Sequence, residues 1–482
     1  MKFFLILLVI GIVLFSPLYA INSFSLSSNP FSSNILLSIS NSPYPHHVEP
    51  TFAISDNGTL FAGWKDAKGP SSSGVRVSYS KSINSGTTWS SPQDMPLFNS
   101  SIQTGQSDPW MIWFNNTLFY FYIEFDLAQP YTSLNLSQVT LAKSTDYGAT
   151  WQLNRASHNP NFADKETAVI SNDGTIYVAY GDVPSSGSNR MRLSYSKDGG
   201  KTFNDSLLID DLSSDTIDQI APYIDVDNSG KLFVAWLKLT TQTYTGYLVF
   251  DSLNMSNFGT DTRITDGNNA KMTQTVSGSG SKWTLPVLRI DNKDRIYVMW
   301  SDTAESAGSW DVYLKYSDDY GKTWSEKMRI NPSTIGNQWM ADMDIDINNN
   351  LHVVYYNEQG SSYRPYYQLI TNSNNKLTIS EAKVVASGDT SSTFSRPGDY
   401  LTVRVDENLR THVVWSDGRN NDMDIFYAHC DCVQNIDFTN SSTTTSNTFI
   451  DSSSKTTIAF VDISSIFLVV VVITLIRQKN KQ

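Results

Sequence analysis

Ser144-Thr145-Asp146-Tyr147-Gly148-Ala149-Thr150-Trp151 reads as a tight turn closed by an aromatic anchor. The same pattern returns at Ser196 to Phe203 and Ser317 to Trp324, and at Ser82 to Trp89 with Asn84 in the Asp position. Each residue type has a local reason to be there. Short Ser and Asp side chains satisfy turn amides, Gly supplies positive φ, and the aromatic packs the turn down. A strand leads into each turn: Val75 to Ser80, Val139 to Lys143, Met191 to Ser196 and Val312 to Ser317.

Upstream of these strands a second pattern repeats at intervals of roughly sixty residues, a spacing typical of propellers. A short strand turns at an Asp/Asn/Gly cluster and re-enters as a strand ending in an aromatic. Pro50 to Ile54 is followed by Leu60 to Trp64, and Pro222 to Val226 by Leu232 to Trp236. The alternation returns at Leu118 to Tyr122, Ile176 to Tyr180, Ile296 to Trp300, Leu351 to Tyr355 and His412 to Trp415, making seven units. The second strands are apolar at nearly every position, which suits strands covered on both faces, and blades stacked around an axis supply that cover. The expected fold is an all-β propeller of seven blades. Six blades and a closing strand are the alternative.

These turns resemble the Asp-boxes, or bacterial neuraminidase repeats, of the sialidase-like β-propeller superfamily, and the resemblance spans about Glu49 to Cys432. It implies a fold rather than one activity, because hydrolases, lyases and plain binding proteins share it. Sialidases of this kind hold the substrate carboxylate with three arginines, use a Tyr activated by Glu as nucleophile, and place an Asp as acid and base. Their Phe-Arg-Ile-Pro motif is absent here; the corresponding region reads His46-His47-Val48-Glu49-Pro50.

Aromatics at 12% and charged residues at 17% fit an extracellular all-β chain, and the net charge of −12 excludes nucleic acid as a partner. Residues 1–20, from Lys2 through the apolar run Phe3 to Phe15 to Ala20, read as a signal peptide. Ile458 to Ile476 is long enough to cross a bilayer and is followed by Arg477, Lys479 and Lys481, which places the C-terminus inside. The expected organisation is therefore signal 1–20, N-terminal segment 21–45, propeller 46–436, Ser/Thr-rich stalk 437–457, transmembrane helix 458–476 and cytoplasmic tail 477–482. Sequons at Asn57, Asn99, Asn115, Asn135, Asn204, Asn254 and Asn440 suit a glycosylated cell-surface protein. Cys430 and Cys432, if in an extended strand, have Cα atoms roughly 6.6 Å apart, near the limit for bridging. A small structural bridge, free thiols and a metal site all remain open at this point.

In a four-stranded blade the approach to strand one and the departure from strand two lie on the same face, so residues flanking them converge around the central channel. The approach set is Glu49, Asp108, Asp164 with Glu166, Asp218, Trp283, Trp339, Arg396 and Asp399. The departure set includes Asp66, Glu124, Asp126, Asp182, Asp302, Glu358, Asp417 and Arg419. Paired carboxylates across a sugar ring supply general acid and base or nucleophile, and Glu49, Asp108 and Glu166 are the catalytic candidates. Arg396 and Arg419, with Asp399, Trp283 and Trp339, are the substrate-binding candidates, since guanidinium groups bind carboxylates bidentately. No cofactor is expected. Calcium is the ion that so acidic a mouth could hold, and His46 and His47 beside Glu49 are a second metal candidate. The expected function is a membrane-anchored protein that binds or hydrolyses surface glycans, with glycans or surface glycoproteins as partners. The alternative is a non-catalytic adhesion, scaffold or envelope protein.

Overall fold

The computed structural model describes residues 29–435, apart from 40–42, 69–73, 99, 101–103, 128–136, 159–160, 205–206, 211–217, 241–244, 254–260, 266–269, 272, 277–279, 284, 303–308, 334, 360–361, 389–399 and 421. The chain divides into two compact units, Met1–Phe438 and Thr439–Gln482. All described residues belong to the first. The signal peptide, stalk, transmembrane helix and tail expected from the sequence lie outside the described residues. Among the described residues no helix is long and apolar enough to cross a membrane.

Seven antiparallel sheets of four or five strands form the blades, each numbered here by its order in the chain. Their inner strands are His46–Ile54, Thr104–Phe114, Phe162–Ile170, Asp218–Val226, Val287–Ile290, Asn337–Ile345 and Thr402–Val405. These inner strands touch in cyclic order, and that of blade seven returns to that of blade one. Seven blades is thus the observed count. The ring is closed by Ile35–Leu36, which pairs antiparallel with Asp424–Cys430 as the outer strand of blade seven. An additional hairpin, Thr273–Val276 with Gly280–Trp283, stands between blades four and five in the chain.

The apolar second strands behave as their composition demands. Phe61, Phe121, Val178, Phe233, Met299, Val353 and Val413 are wholly buried, and the apolar clusters lie between blades rather than within one. One cluster joins Phe61, Val77 and Tyr79 of blade one to Met111, Leu118 and Tyr120 of blade two. Another joins Phe52 and Trp64 of blade one to Val414 and Tyr427 of blade seven. A blade is therefore a slab whose two faces are completed by its neighbours, and cutting such an aromatic back to Ala would cost about 3–5 kcal/mol.

The Ser-x-Asp-x-Gly turns form as their residues require. Ser144 Oγ donates to Asp146 Oδ1 (2.7 Å) and accepts from the Gly148 amide (2.8 Å), while Asp146 Oδ1 accepts from the Thr150 amide (2.9 Å). Ser196 with Asp198 and Ser317 with Asp319 repeat the pattern, and Ser82 with Asn84 shows that an amide oxygen serves equally. The turns do more than pack against their own blade. Tyr79 of blade one donates its hydroxyl to the Gly148 carbonyl of blade two (2.5 Å). A Cβ on Gly321 of blade five would meet the Phe250 ring of blade four at 2.1 Å. Each turn therefore staples its blade to the one before.

Cys430 and Cys432 form a disulfide with Cα atoms 5.0 Å apart. They lie closer than the extended spacing because Cys432 has left the strand and begins the helical turn Cys432–Asn435.

Candidate functional site at the channel mouth

The inner strands are not regular. In blades one, two, three, four and six the pairing with the second strand slips at one place, between Val48 and Thr51, Ser107 and Trp110, Asp164 and Thr167, Ile220 and Tyr223, and Trp339 and Asp342. Within each bulge one non-glycine residue takes a left-handed conformation: Glu49 (φ 58°), Asp108 (52°), Lys165 (48°), Ala221 (55°) and Met340 (55°). Such geometry costs of order 1–3 kcal/mol per residue and re-aims side chains. Pro50, Pro109 and Pro222 follow three of these residues. A proline in a strand belongs at an edge or a bulge, and this was the signal in the sequence that marked the bulges.

The bulges of blades one to three carry the acids. Glu49 is buried and accepts a 2.5 Å hydrogen bond from Lys65 Nζ. Asp108 is half-buried and accepts from Ser107 Oγ at 2.8 Å. Glu166 is wholly buried, with neither carboxyl oxygen hydrogen-bonded. Burial pushes its carboxyl well above the ordinary range, and the charge on Asp108 adds to this. Asp164 is raised to about 7, first by burial, then by the negative charges of Asp108 and Glu49, against the opposing pull of Lys165 and Lys65. Tyr400, which leads into the inner strand of blade seven, completes the group. Its hydroxyl is buried without a hydrogen bond and is held protonated by burial and by Asp108, Glu49 and Glu166. The Lys165 ammonium lies 3.9 Å from the centre of the Tyr400 ring.

Beneath this group is a small recess bordered by Trp110, Lys165, Tyr223, Pro286, Tyr400 and Arg404, about 30 Å³ in volume. That is room for one or two waters and not for a sugar ring. Trp110 forms the floor of the recess. Its indole donates to the Ala168 carbonyl (3.0 Å) and meets Tyr223 edge-on at 5.3 Å. The arginines bordering the channel, Arg289 and Arg404, are turned toward Asp344 and Asp342 at 3.6 and 3.0 Å.

Glu49, Asp108, Asp164 and Glu166 are thus brought together. Trp339 and Arg419, also expected at the mouth, are placed elsewhere. Trp339 is 1% exposed and packs on Tyr356 and Tyr363 as a core residue. Arg419 is tied to Asp417, reaches Asn34 Oδ1 (3.1 Å) and covers the Phe426 ring, which places it on the outer, closing side of blade seven. Trp283 is placed by its backbone alone, at the end of the extra hairpin. Arg396 and Asp399 lie outside the described residues.

Much of the departure set proves structural. Asp66, Asp302 and Asp417 each accept the indole N–H of the tryptophan two residues earlier, at 2.9, 2.7 and 3.1 Å. Glu124 accepts the Phe98 amide and Gln106 Nε2. His47 is buried against Asp66 at 2.5 Å, and no three His, Cys, Asp or Glu side chains among the described residues are grouped to hold a metal ion. Sequence reasoning did not single out Lys165, Lys65, Trp110 or Tyr400, because spacing alone does not show which long side chains turn inward.

No family model matches the chain, and no curated protein matches it. Solved structures do. A polysaccharide lyase of the ulvan lyase family PL25 superposes with a TM-score of 0.52 at 11% identity, covering 83% of this chain and 93% of its own. An α-L-arabinanase of Penicillium chrysogenum gives 0.49 at 14% identity over 83% and 98%, and the Hadza microbial sialidase Hz136 gives 0.45 at 15% over 64% and 63%. The lyase match agrees with the propeller fold that the strand pairing shows. At these identities the likeness concerns the fold alone, and function has to be argued from the site.

Proposed function

We propose that this propeller binds a glycan across its channel mouth and hydrolyses a glycosidic bond there by general acid–base chemistry. The observation that carries the reading is the convergence of carboxyl groups from three successive blade bulges, Glu49, Asp108 and Asp164, on one end of the channel. A carboxyl titrating about 7 beside an ionised one is the pairing that glycoside hydrolysis uses. In this reading Asp164 holds the proton and delivers it to the leaving oxygen, and Asp108, half-exposed, draws a proton from water or attacks directly. Glu49, charged and held by Lys65, keeps the Asp164 proton in place by repulsion. Glu166, wholly buried, is neutral. With Arg404 held by Asp342 and Arg289 beside Asp344 on the wall below Trp110, away from the acids at the mouth, the reading favours neutral glycosides over sialosides.

The test incubates the purified full chain with fluorogenic neutral glycosides, arabinosides and sialosides from pH 4 to 9. Turnover with an alkaline limb near 7, abolished in Asp164→Asn, supports it. Absence of turnover on every substrate, with glycan binding retained in both Asp164→Asn and Asp108→Asn, leaves a binding module instead.

The same proposal includes a cell-surface address, with Ile458 to Ile476 as membrane anchor and residues 1–20 as signal. Release of the chain from membranes by alkaline carbonate, without detergent, would refute the anchor.

A further inference from the structure

Below Trp110 the channel widens into a second cavity of about 400 Å³, a volume in the range of small-ligand sites. Its wall is divided. Blades two and three line it with Trp110, Ile112, Phe114 and Ile170. Blades four to seven line it with Asp225, Arg289, Asp344 and Arg404, one from each blade at the same position of the inner strand, so that the signs alternate around the wall.

Part of this ladder has a structural use. An inner strand presents unpaired amides toward its neighbour, and the acids supply partners: Asp225 Oδ2 accepts the Ile290 amide of blade five (3.1 Å), and Asp344 Oδ2 accepts the Val405 amide of blade seven (2.9 Å). Arg404 donates Nη1 to Asp342 and to the Val403 carbonyl. What these stitches leave over is specific. Arg289 spends Nη1 on the Leu288 carbonyl and stacks over Tyr223. Its Nε stands 3.6 Å from Asp344 Oδ1, an ion-pair distance beyond a hydrogen bond. A guanidinium edge and a carboxylate oxygen thus face the cavity side by side with hydrogen-bonding capacity in hand.

We infer that this lower cavity is a binding site for a small zwitterion with an apolar body, of the size and chemistry of a free hydrophobic amino acid. The ligand carboxylate takes the open edge of Arg289, where two parallel N–H donors match it. Its ammonium takes Asp344 Oδ1, and its side chain lies against Ile112, Phe114 and Ile170. Opposite charges on one ligand suit the alternating wall, because neither end leaves a buried charge without a partner. This site lies on the far side of Trp110 from the carboxyl group at the mouth and does not depend on the function of that group.

The test is calorimetric titration of the full chain with L-phenylalanine and L-leucine, alongside glycine, N-acetyl-phenylalanine and phenylalanine amide. The two apolar zwitterions are expected to saturate with a Kd of about 1 mM or tighter, and each analogue lacking a charge to bind about 10- to 100-fold more weakly. Asp344→Asn keeps an acceptor for the Val405 amide but loses the charge, and should weaken binding by a similar factor. Ile170→Trp, at a half-buried wall position, should fill the cavity and abolish binding while leaving the charges in place. The inference is overturned if neither zwitterion saturates by about 10 mM, if a single-charged analogue binds equally well, or if a folded Ile170→Trp protein binds unchanged.

Discussion

Lys165 of blade three places its ammonium 3.9 Å from the ring centre of Tyr400, at the start of blade seven, so the two residues span the recess at the head of the channel. The contact joins blades that are not neighbours in the ring. It also fixes a positive charge beside Asp164, whose carboxyl would otherwise lie higher still.

Replacing that charge moves the acid. In Lys165→Met the carboxyl of Asp164 loses a cation that lowers it, so the alkaline limb of any activity profile should move up by about one pH unit. Tyr400→Phe keeps the ring face and should leave the limb where it is. pH–rate profiles of the two variants, or carboxyl titration by NMR, check this.

The acids at the mouth should cost stability. Between about pH 4 and pH 7 the folded chain keeps the Asp164 proton that the unfolded chain releases, so stability is full at the acid end and falls as pH rises toward about 7. Asp164→Asn should therefore stabilise the protein at pH 8 by on the order of 1–3 kcal/mol and have little effect at pH 4. Glu166→Gln should act in the same direction, since its carboxyl is also raised. Urea unfolding at the two pH values measures both.

The turn acids behave oppositely. Asp146 is held down to about 2 by the Thr150 hydroxyl and amide and by Ser144. Its contribution is present above the ordinary carboxylate range and is lost as pH falls toward about 2. Loosening of the turns in acid, followed by the fluorescence of Trp151, should be absent in Asp146→Asn.

Two glycines separate strain from crowding. Gly58 and Gly321 both have positive φ, 80° and 84°, but a Cβ at Gly58 meets nothing while one at Gly321 meets Phe250. Gly58→Ala should cost about 1 kcal/mol and Gly321→Ala about 2–4 kcal/mol. Thermal unfolding of the pair gives the comparison.

One buried serine helps to close the ring. Ser38 Oγ donates to Asp424 Oδ1 (2.9 Å) and accepts the Ile425 amide (3.0 Å), fastening the N-terminal segment to blade seven. Ser38→Ala removes the bond to the buried Ile425 amide and one of the bonds to Asp424, and should cost about 1–3 kcal/mol. An unchanged denaturation midpoint would show that the closing strand adds little.

The sequence by itself determined that seven similar units exist, that their second strands are buried on both faces, and that the Ser-x-Asp-x-Gly turns form. These are local matters of residue period, short polar side chains and glycine at positive φ, and all can be read within eight or ten residues. Glu49 and Asp108 were legible because they occupy one repeated position; in the third unit Lys165 stands there, with Asp164 and Glu166 on either side of it. Tertiary structure decided the rest. Trp339 could have faced the channel or the core, and burial against Tyr356 and Tyr363 settled it. Arg419 could have faced a ligand, but the returning N-terminal segment brought Asn34 to it. Tyr400 comes from a stretch of chain far from the adjacent pair Asp164 and Lys165, and the three acquire their shared electrostatics only when the ring closes, because burial and charge proximity are properties of the assembled channel and of no single blade.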